Sequence, residues 1–175
     1  MKALKGFTLL EILIVLLIIS MTVTFSFPMW QTANTKMILE KEQNKLYIFI
    51  RELQARVENS NDIWFLIANR DLVSKRWCLV AQPKNTDICD CLNPRSCNRN
   101  IPMKFYYPYF ADKTMLISKV YYPREMTRLN GTRNTSTTTC FVLQSDQQRT
   151  VFSFFNVGSL KLKGYQSLSA CVNDH

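Results

Sequence analysis

The sequence predicts an α+β fold, in which a long N-terminal helix packs on an antiparallel β-sheet head whose loops are joined by disulfides. Three observations predict it. An apolar run opens the chain, an amphipathic stretch follows it directly, and the remainder holds short segments rich in β-branched and aromatic residues together with six cysteines. A chain of 175 residues is long enough for one such domain.

The apolar run covers residues 7–27 and contains 15 apolar side chains and one charge, Glu11. As a helix it is about 31 Å long, enough to cross the hydrocarbon core of a bilayer. Residues 1–6 carry two lysines and no acid. Because positive flanks stay in the cytoplasm, we expect a single-pass protein whose C-terminal part lies outside the cytoplasm.

A short motif at the start of this run suggests a particular export route. An ordinary secretory signal places a small-residue cleavage site after its apolar segment, but here Gly6 precedes it. Gly6 followed by Phe7-Thr8-Leu9-Leu10-Glu11 resembles the class III leader of type IV pilins and pseudopilins. The resemblance implies that a prepilin peptidase cuts after Gly6 and N-methylates Phe7.

The position of Glu11 supports the same interpretation. A carboxylate near the start of a membrane helix is unfavourable unless it has a partner, so it indicates function. The resemblance implies that the partner is the α-amino group of Phe7 on a neighbouring subunit, which makes Glu11 an assembly residue. The alternative is that Glu11 reaches the cytoplasmic interface without a partner. Pro28 falls where many major pilins have a proline that kinks the helix.

The chain then divides into a cleaved basic leader (1–6), a transmembrane and assembly helix (7–28), an amphipathic helix (29–60) and a β-rich periplasmic head (61–175). The amphipathic part has an apolar stripe that we expect to pack on the head: Leu46, Phe49, Ile50, Leu53 and Val57. Its charged residues are expected on the solvent side: Glu40, Lys41, Glu42, Lys45, Arg51, Glu52 and Arg56. The polar residues 59–62 end the helix.

The head is predicted to contain seven short strands, at residues 63–68, 77–81, 105–110, 116–122, 140–144, 151–155 and 160–165. Residues 156–159 form a turn between the last two. Pro108 indicates that its strand lies at a sheet edge, because proline cannot donate to a strand ladder. Residues 135–139 are interpreted as a loop or the start of a strand.

Six cysteines all follow the membrane segment, where disulfides persist: Cys78, Cys89, Cys91, Cys97, Cys140 and Cys171. We expect three disulfides, one of them holding the C-terminal segment through Cys171. Fifteen pairings are possible, and the sequence does not choose among them. A zinc site at Cys89, Cys91 and Cys97 is the alternative, although the paired CxxC spacing of such sites is absent.

The net charge of +9 lies mainly in the head, where residues 61–175 hold 15 basic and eight acidic side chains. This excess raises the hypothesis of contact with DNA, since lysine and arginine bind phosphates. The candidate residues are Arg95, Arg99, Arg124, Arg128, Arg133, Lys161 and Lys163. Tyr106, Tyr107, Tyr121 and Tyr122 are near them in sequence. The alternative is a solvated basic surface with the tyrosines in the sheet.

Catalysis is not expected from this composition. The single histidine is the terminal His175, and the glycines at 6, 131, 158 and 164 cannot form a dinucleotide-binding or Walker A loop. No nucleophile–base pair and no paired carboxylates stand out. We therefore predict neither an enzyme nor a bound cofactor or metal.

The resemblance and the composition together predict a minor type IV pilin that primes pilus assembly or sits at the tip, serving adhesion, motility or DNA uptake. The irregular cysteine-rich loop is poorly suited to dense lateral packing in a repeating subunit. Expected partners are other pilin subunits, prepilin peptidase, the inner-membrane assembly platform and DNA. The alternatives are a minor pseudopilin of a type II secretion system and a membrane-anchored DNA-binding or adhesive module that never polymerises.

Overall fold

The computed structural model describes residues 8–85, 87–98, 100–164 and 171. Helix α1 (Leu9–Glu58) begins after Thr8, whose hydroxyl accepts a hydrogen bond from the Glu11 amide at 3.3 Å. It ends at Asn59, whose backbone and side-chain nitrogens both bond the Ala55 carbonyl. The helix continues through Pro28, and the predicted kink there stays a prediction.

The strands of the described residues form two antiparallel sheets. In chain order they are β1 (Ile63–Asp71), β2 (Arg76–Pro83), β3 (Lys104–Tyr106), β4 (Met115–Ser118), β5 (Thr127–Asn130), β6 (Thr135–Ser136), β7 (Thr139–Ser145), β8 (Gln148–Phe154) and β9 (Leu160–Gly164). Sheet A has the order β3-β2-β1-β5-β6, and sheet B has the order β4-β7-β8-β9. The predicted fold class is confirmed, with the strands divided between two sheets.

The predicted apolar stripe of α1 forms the centre of the core. Leu46, Ile50 and Leu53 are fully buried, and Val57 nearly so. Phe49 is half-buried at the edge of the stripe, with its ring 5.2 Å from that of Tyr106. The stripe packs on the inward-facing residues of both sheets, such as Leu66 of β1 and Phe152 of β8. Helix and sheets therefore share one core.

The outer face of sheet A is buried as well, which explains why β1 is apolar on both faces. Phe65 and Ile67 of β1 and Val80 of β2 lie under the cysteine-rich segment and contact Cys89 and Cys91. A strand that faces water on one side alternates apolar with polar residues, whereas one buried on both sides reads as a continuous apolar run. The segment that carries Cys89, Cys91 and Cys97 thus forms a second layer over sheet A, and we call it the cysteine-rich cover.

All six cysteines are in disulfides, so the prediction of three bridges is confirmed. The pairs are Cys78–Cys91, Cys89–Cys97 and Cys140–Cys171, with Cα–Cα distances of 6.0, 4.9 and 5.3 Å. The zinc alternative is wrong, because each of the three sulfurs it needs is bonded to another sulfur. Cys171 is tied to β7, as expected for a bridge that holds the C-terminal segment.

Several strands differ from the prediction in extent. β3 and β4 are shorter than predicted, and β3 is indeed the edge of sheet A, although Pro108 follows it. β5 is additional and pairs with β1 in the register Trp64↔Leu129. The segment 135–139, interpreted as a loop or the start of a strand, contains β6 and the first residue of β7. The turn at residues 156–159 is confirmed, with Gly158 at φ 72°.

Gly131, in the hairpin between β5 and β6, lies directly against the end of α1. Its amide donates to the Asp62 carbonyl at 3.0 Å. A Cβ at this position would be 2.0 Å from the Ser60 carbonyl oxygen and 2.2 Å from that of Val57. Since those are backbone atoms that cannot move independently, only glycine fits here.

Candidate assembly helix and basic head surface

The first half of α1, from Leu9 to Trp30, is exposed, and we call it the bare segment. Every large apolar side chain from Leu9 to Trp30 is exposed, and the first buried ones on the helix are Ile38 and Leu39. An 18-residue window of this helix has a mean hydropathy of 2.4, and none of that window is buried. The described part of the chain thus contains one helix long and apolar enough to cross a membrane.

Three hydroxyl groups within this bare segment are satisfied inside the helix. Ser20 Oγ donates to the Leu17 carbonyl, Thr22 Oγ1 to that of Ile19 and Thr24 Oγ1 to that of Ser20, at 2.7–2.8 Å. A hydroxyl without a partner is unfavourable in hydrocarbon, and bonding back to the preceding turn removes that penalty. The segment is therefore compatible with lipid or with the apolar interior of a filament.

Glu11 lies in the first turn of α1, one turn from the start of the described chain. The described residues provide no hydrogen-bond donor or cation for its carboxylate. Gly6 and Phe7, the predicted processing residues, lie outside the described residues. Pairing of Glu11 with Phe7 of a neighbouring subunit accordingly stays a prediction.

The head is attached to α1 through a buried carboxylate, Glu42. Its oxygens accept hydrogen bonds from the Tyr106 hydroxyl and from the amides of Tyr109 at 2.9 Å and Phe110 at 3.2 Å. Glu42 is 0% exposed, so the prediction that it faces solvent is wrong. Position 42 precedes Leu46 by four residues and lies on the same helix face, which is the sequence signal that could have indicated its burial.

The groups around Glu42 have perturbed acidities. Burial, followed by the hydrogen bond to Glu42, raises the pKa of Tyr106 far above its usual value. Lys45 extends over the Tyr109 ring, 3.3 Å from its centroid, and donates to the Tyr107 carbonyl at 2.6 Å. Partial burial lowers the pKa of Lys45, and the negative charge of Glu42 opposes this. These contacts fasten the segment after β3 to the helix.

The proposed DNA-contact residues do not form one cluster. Arg95 lies in a short 3-10 helix (Pro94–Ser96), Arg124 in a turn, Arg133 in the β5–β6 hairpin and Lys163 on β9. Arg99 lies outside the described residues. Tyr106 is buried and Arg70 covers the half-buried Tyr121, 4.2 Å from its centroid, so neither belongs to an open surface.

Two of the candidates do lie beside neighbouring surface depressions. Arg128 lines one of about 440 Å³, and Lys161 lies 5.3 Å from the ring centroid of Phe155, which lines a second of about 330 Å³. The second is also lined by Lys119, which is not among the residues predicted to contact DNA. Lys119 stands alone among uncharged residues in the sequence, so no local charge pattern marks it.

Comparison with known proteins supports the interpretation of the exposed apolar helix and of the leader that precedes it. Residues 1–27 match the family model of the prokaryotic N-terminal methylation motif. This match and the exposed apolar helix define a type IV pilin-like protein, a structural subunit that prepilin peptidase processes and that is anchored in the membrane before it assembles with other pilin subunits.

A closely similar protein occurs in Haemophilus influenzae (strain Rd), where it is described as uncharacterized. The two are 53% identical over 167 residues, which is 95% of this chain and 98% of the other. The chain belongs to the family of this Haemophilus protein, within the pilin-like class. No solved structure matches the chain significantly.

Proposed function

We propose that this protein is a minor type IV pilin, which primes filament assembly or occupies the tip instead of forming the repeating shaft. The observation that carries the proposal is the cysteine-rich cover of sheet A, which is joined at Cys78–Cys91 and Cys89–Cys97 and contains one short 3-10 helix as its regular structure in the described residues. Such an irregular outer layer is poorly suited to the repeated lateral contacts of a shaft.

In this function the bare half of α1 moves from lipid into the filament interior. Both environments are apolar, and the internally bonded hydroxyls of Ser20, Thr22 and Thr24 suit either one. Glu11 then provides the one charged group of the segment, and pairing with the Phe7 α-amino group of a neighbour removes both charges from the apolar surroundings.

The proposal is tested by replacing Glu11 with Ala in the native host. We expect the variant to stay in the inner membrane and to be missing from sheared filaments, whereas a Glu58→Ala control, exposed at the other end of α1, enters them normally. Quantitative mass spectrometry of wild-type filaments should find this subunit at a small fraction of the most abundant pilin. An equal or dominant share would contradict the minor role.

A minor pseudopilin of a type II secretion system is the second candidate, because it uses the same leader and the same helix. Deletion separates the two: loss of surface pili with unchanged protein secretion supports the pilin, and the reverse supports the pseudopilin. If Glu11→Ala behaves as wild type in every assay, the protein is instead an anchored module that does not polymerise.

A further inference from the structure

The two depressions described above adjoin at Thr138, and we treat them together as one groove. Thr138 follows β6 and lines both of them, at the point where the chain passes from sheet A to sheet B. The β5–β6 edge is on one side, and the ends of β7 and β8 are on the other. The Ser136 amide donates to the Asn156 carbonyl at 3.3 Å, which joins β6 of sheet A to the turn that follows β8 of sheet B. We call the two adjoining depressions together the inter-sheet groove.

The inter-sheet groove has basic side chains along its length. Arg128 lines its sheet A part and Lys119 its sheet B part, while Lys161 adjoins through Phe155. None of the lining residues in the described part of the chain is an aspartate or glutamate. Acids do lie close by: Glu125 forms a salt bridge with Arg128, Asp62 directly precedes the lining residue Ile63, and Glu58 lines an adjoining depression that shares Asn130, Thr135 and Ser136 with the groove. A concave surface of one sign concentrates ligands of the opposite sign.

Uncharged polar groups lie between these cations. The lining includes the hydroxyl-bearing Thr137, Thr138 and Ser153 and the amides of Asn130 and Asn156. Together with arginine and lysine, these are the side chains that most often contact the phosphate oxygens of DNA. Phe155 is 39% exposed in the groove, a suitable surface for an unpaired base.

The groove lies at the end of the head that is farthest from the membrane segment. Asn130 and Ile63 line it, and both flank the contact between Gly131 and the C-terminal end of α1. The helix enters the core at Ile38 and ends at Glu58, a rise of about 30 Å. In a subunit at the distal end of a filament, this surface faces outward.

We infer that the inter-sheet groove binds the phosphodiester backbone of DNA through Arg128, Lys119 and Lys161. Arg95, Arg124, Arg133 and Lys163, which do not line it, contribute only to the general positive charge. The inference extends the proposed function and can fail without it, since binding is measured on the purified chain and assembly is measured in cells.

The experiment uses the full-length chain in detergent micelles and fluorescently labelled DNA, both single-stranded and duplex, with fluorescence anisotropy as the readout. The test variant is Lys119→Ala with Lys161→Ala, both exposed side chains. The matched control is Lys113→Ala, an exposed lysine outside the groove. We expect the double variant to bind about tenfold more weakly at low salt, with the slope of log affinity against log salt reduced by about 2.

A gain-of-function variant makes the test specific to the groove. Glu125→Gln removes the carboxylate that neutralises Arg128, so it should tighten binding several-fold, and Arg128→Gln should abolish that gain. The inference is overturned if Lys113→Ala weakens binding as much as the groove variants do, because diffuse charge then explains it. It is also overturned if neither form of DNA binds, or if a sulfated polysaccharide binds in the groove and DNA does not.

Discussion

The hydroxyl of Tyr106, on the edge strand of sheet A, donates to the carboxylate of Glu42 inside the core. This bond connects the helix to the sheet across 64 residues of sequence. Because a buried carboxylate is stable only with several donors, Glu42 depends on Tyr106 and on the amides of Tyr109 and Phe110. The edge of the sheet is thereby fixed relative to α1.

Replacing Glu42 with Ala should lower the free energy of unfolding by about 3 kcal/mol, since three donors lose their acceptor in a buried site. Guanidinium titration of the full chain in micelles, followed by the fluorescence of the buried Trp64 and Trp77, measures this change. Glu40→Ala is the control: Glu40 is exposed and its ion pair with Lys36 is exposed as well, so a shift within about 0.5 kcal/mol is expected. Equal effects of the two substitutions would contradict the assigned role of Glu42.

Stability should also depend on Tyr106 at alkaline pH. Its pKa is raised in the folded state, so above pH of about 10 the unfolded chain loses this proton while the folded chain keeps it. The free energy of unfolding should then fall by about 1.4 kcal/mol per pH unit from this group, with no contribution below that pH. The difference between wild type and Tyr106→Phe isolates the effect from Lys45, whose lowered pKa acts in the opposite direction. If the difference in the free energy of unfolding between wild type and Tyr106→Phe stayed constant up to a pH of about 12, the raised pKa of Tyr106 would be refuted.

Two isoleucines on α1 provide a matched comparison for the core. Ile50 is fully buried in the stripe, whereas Ile48 is 56% exposed. Ile50→Ala should destabilise the head by about 2–5 kcal/mol, because it removes buried methyl groups and leaves a cavity. Ile48→Ala should change the stability by less than about 0.5 kcal/mol in the monomer. If Ile48→Ala destabilised the head more than Ile50→Ala, the helix would have to be rotated relative to the sheets.

Gly131 should not tolerate a side chain. Gly131→Ala places a methyl group on the carbonyl oxygens of Ser60 and Val57, so the β5–β6 hairpin must move away from the helix end. We expect a loss of at least about 2 kcal/mol in the same denaturant titration. Gly164→Ala, where a Cβ meets nothing within 4 Å, is the control and should be nearly neutral.

Removal of the Cys140–Cys171 bridge should release Cys171 from the outer face of sheet B, where it packs with Val142 and Val151. The bridge joins positions 31 residues apart, for which loop closure predicts about 3–4 kcal/mol. The double Ala variant should be shortened from its C-terminus by carboxypeptidase faster than the wild type. Intact mass before and after reduction provides the reference, since three bridges make the oxidised wild-type chain about 6 Da lighter.

The features that the sequence predicts well are those set by local periodicity. The apolar run, the stripe from Leu46 to Val57 and the polar helix end at Asn59 depend only on neighbours along the helix. The number of disulfide bridges can be predicted because all six cysteines follow a membrane segment. The pairing of the cysteines cannot be predicted in this way, since it depends on β2 presenting Cys78 towards the cysteine-rich cover, which carries Cys91.

The features that local sequence patterns do not reveal depend on partners distant in sequence. β5, with the sequence Thr-Arg-Leu-Asn, has only one apolar residue, and it becomes a strand because β1 offers it a free edge. The charge of Glu42 predicts exposure to solvent, whereas its buried position depends on donors supplied by Tyr106, Tyr109 and Phe110. Lys119 joins Arg128 and Phe155 at a groove only after the two sheets have come together.

The uninterrupted course of α1 also has a mechanical consequence. A single helix runs from the bare apolar segment to Glu58 at the far end of the head. When a filament is pulled along its axis, the tension reaches the head through the stripe that ends at Val57, and this interface is loaded in shear. Its contacts must therefore yield together, which requires more force than peeling them apart one after another. The same burial that folds the head thus equips the subunit to bear tension.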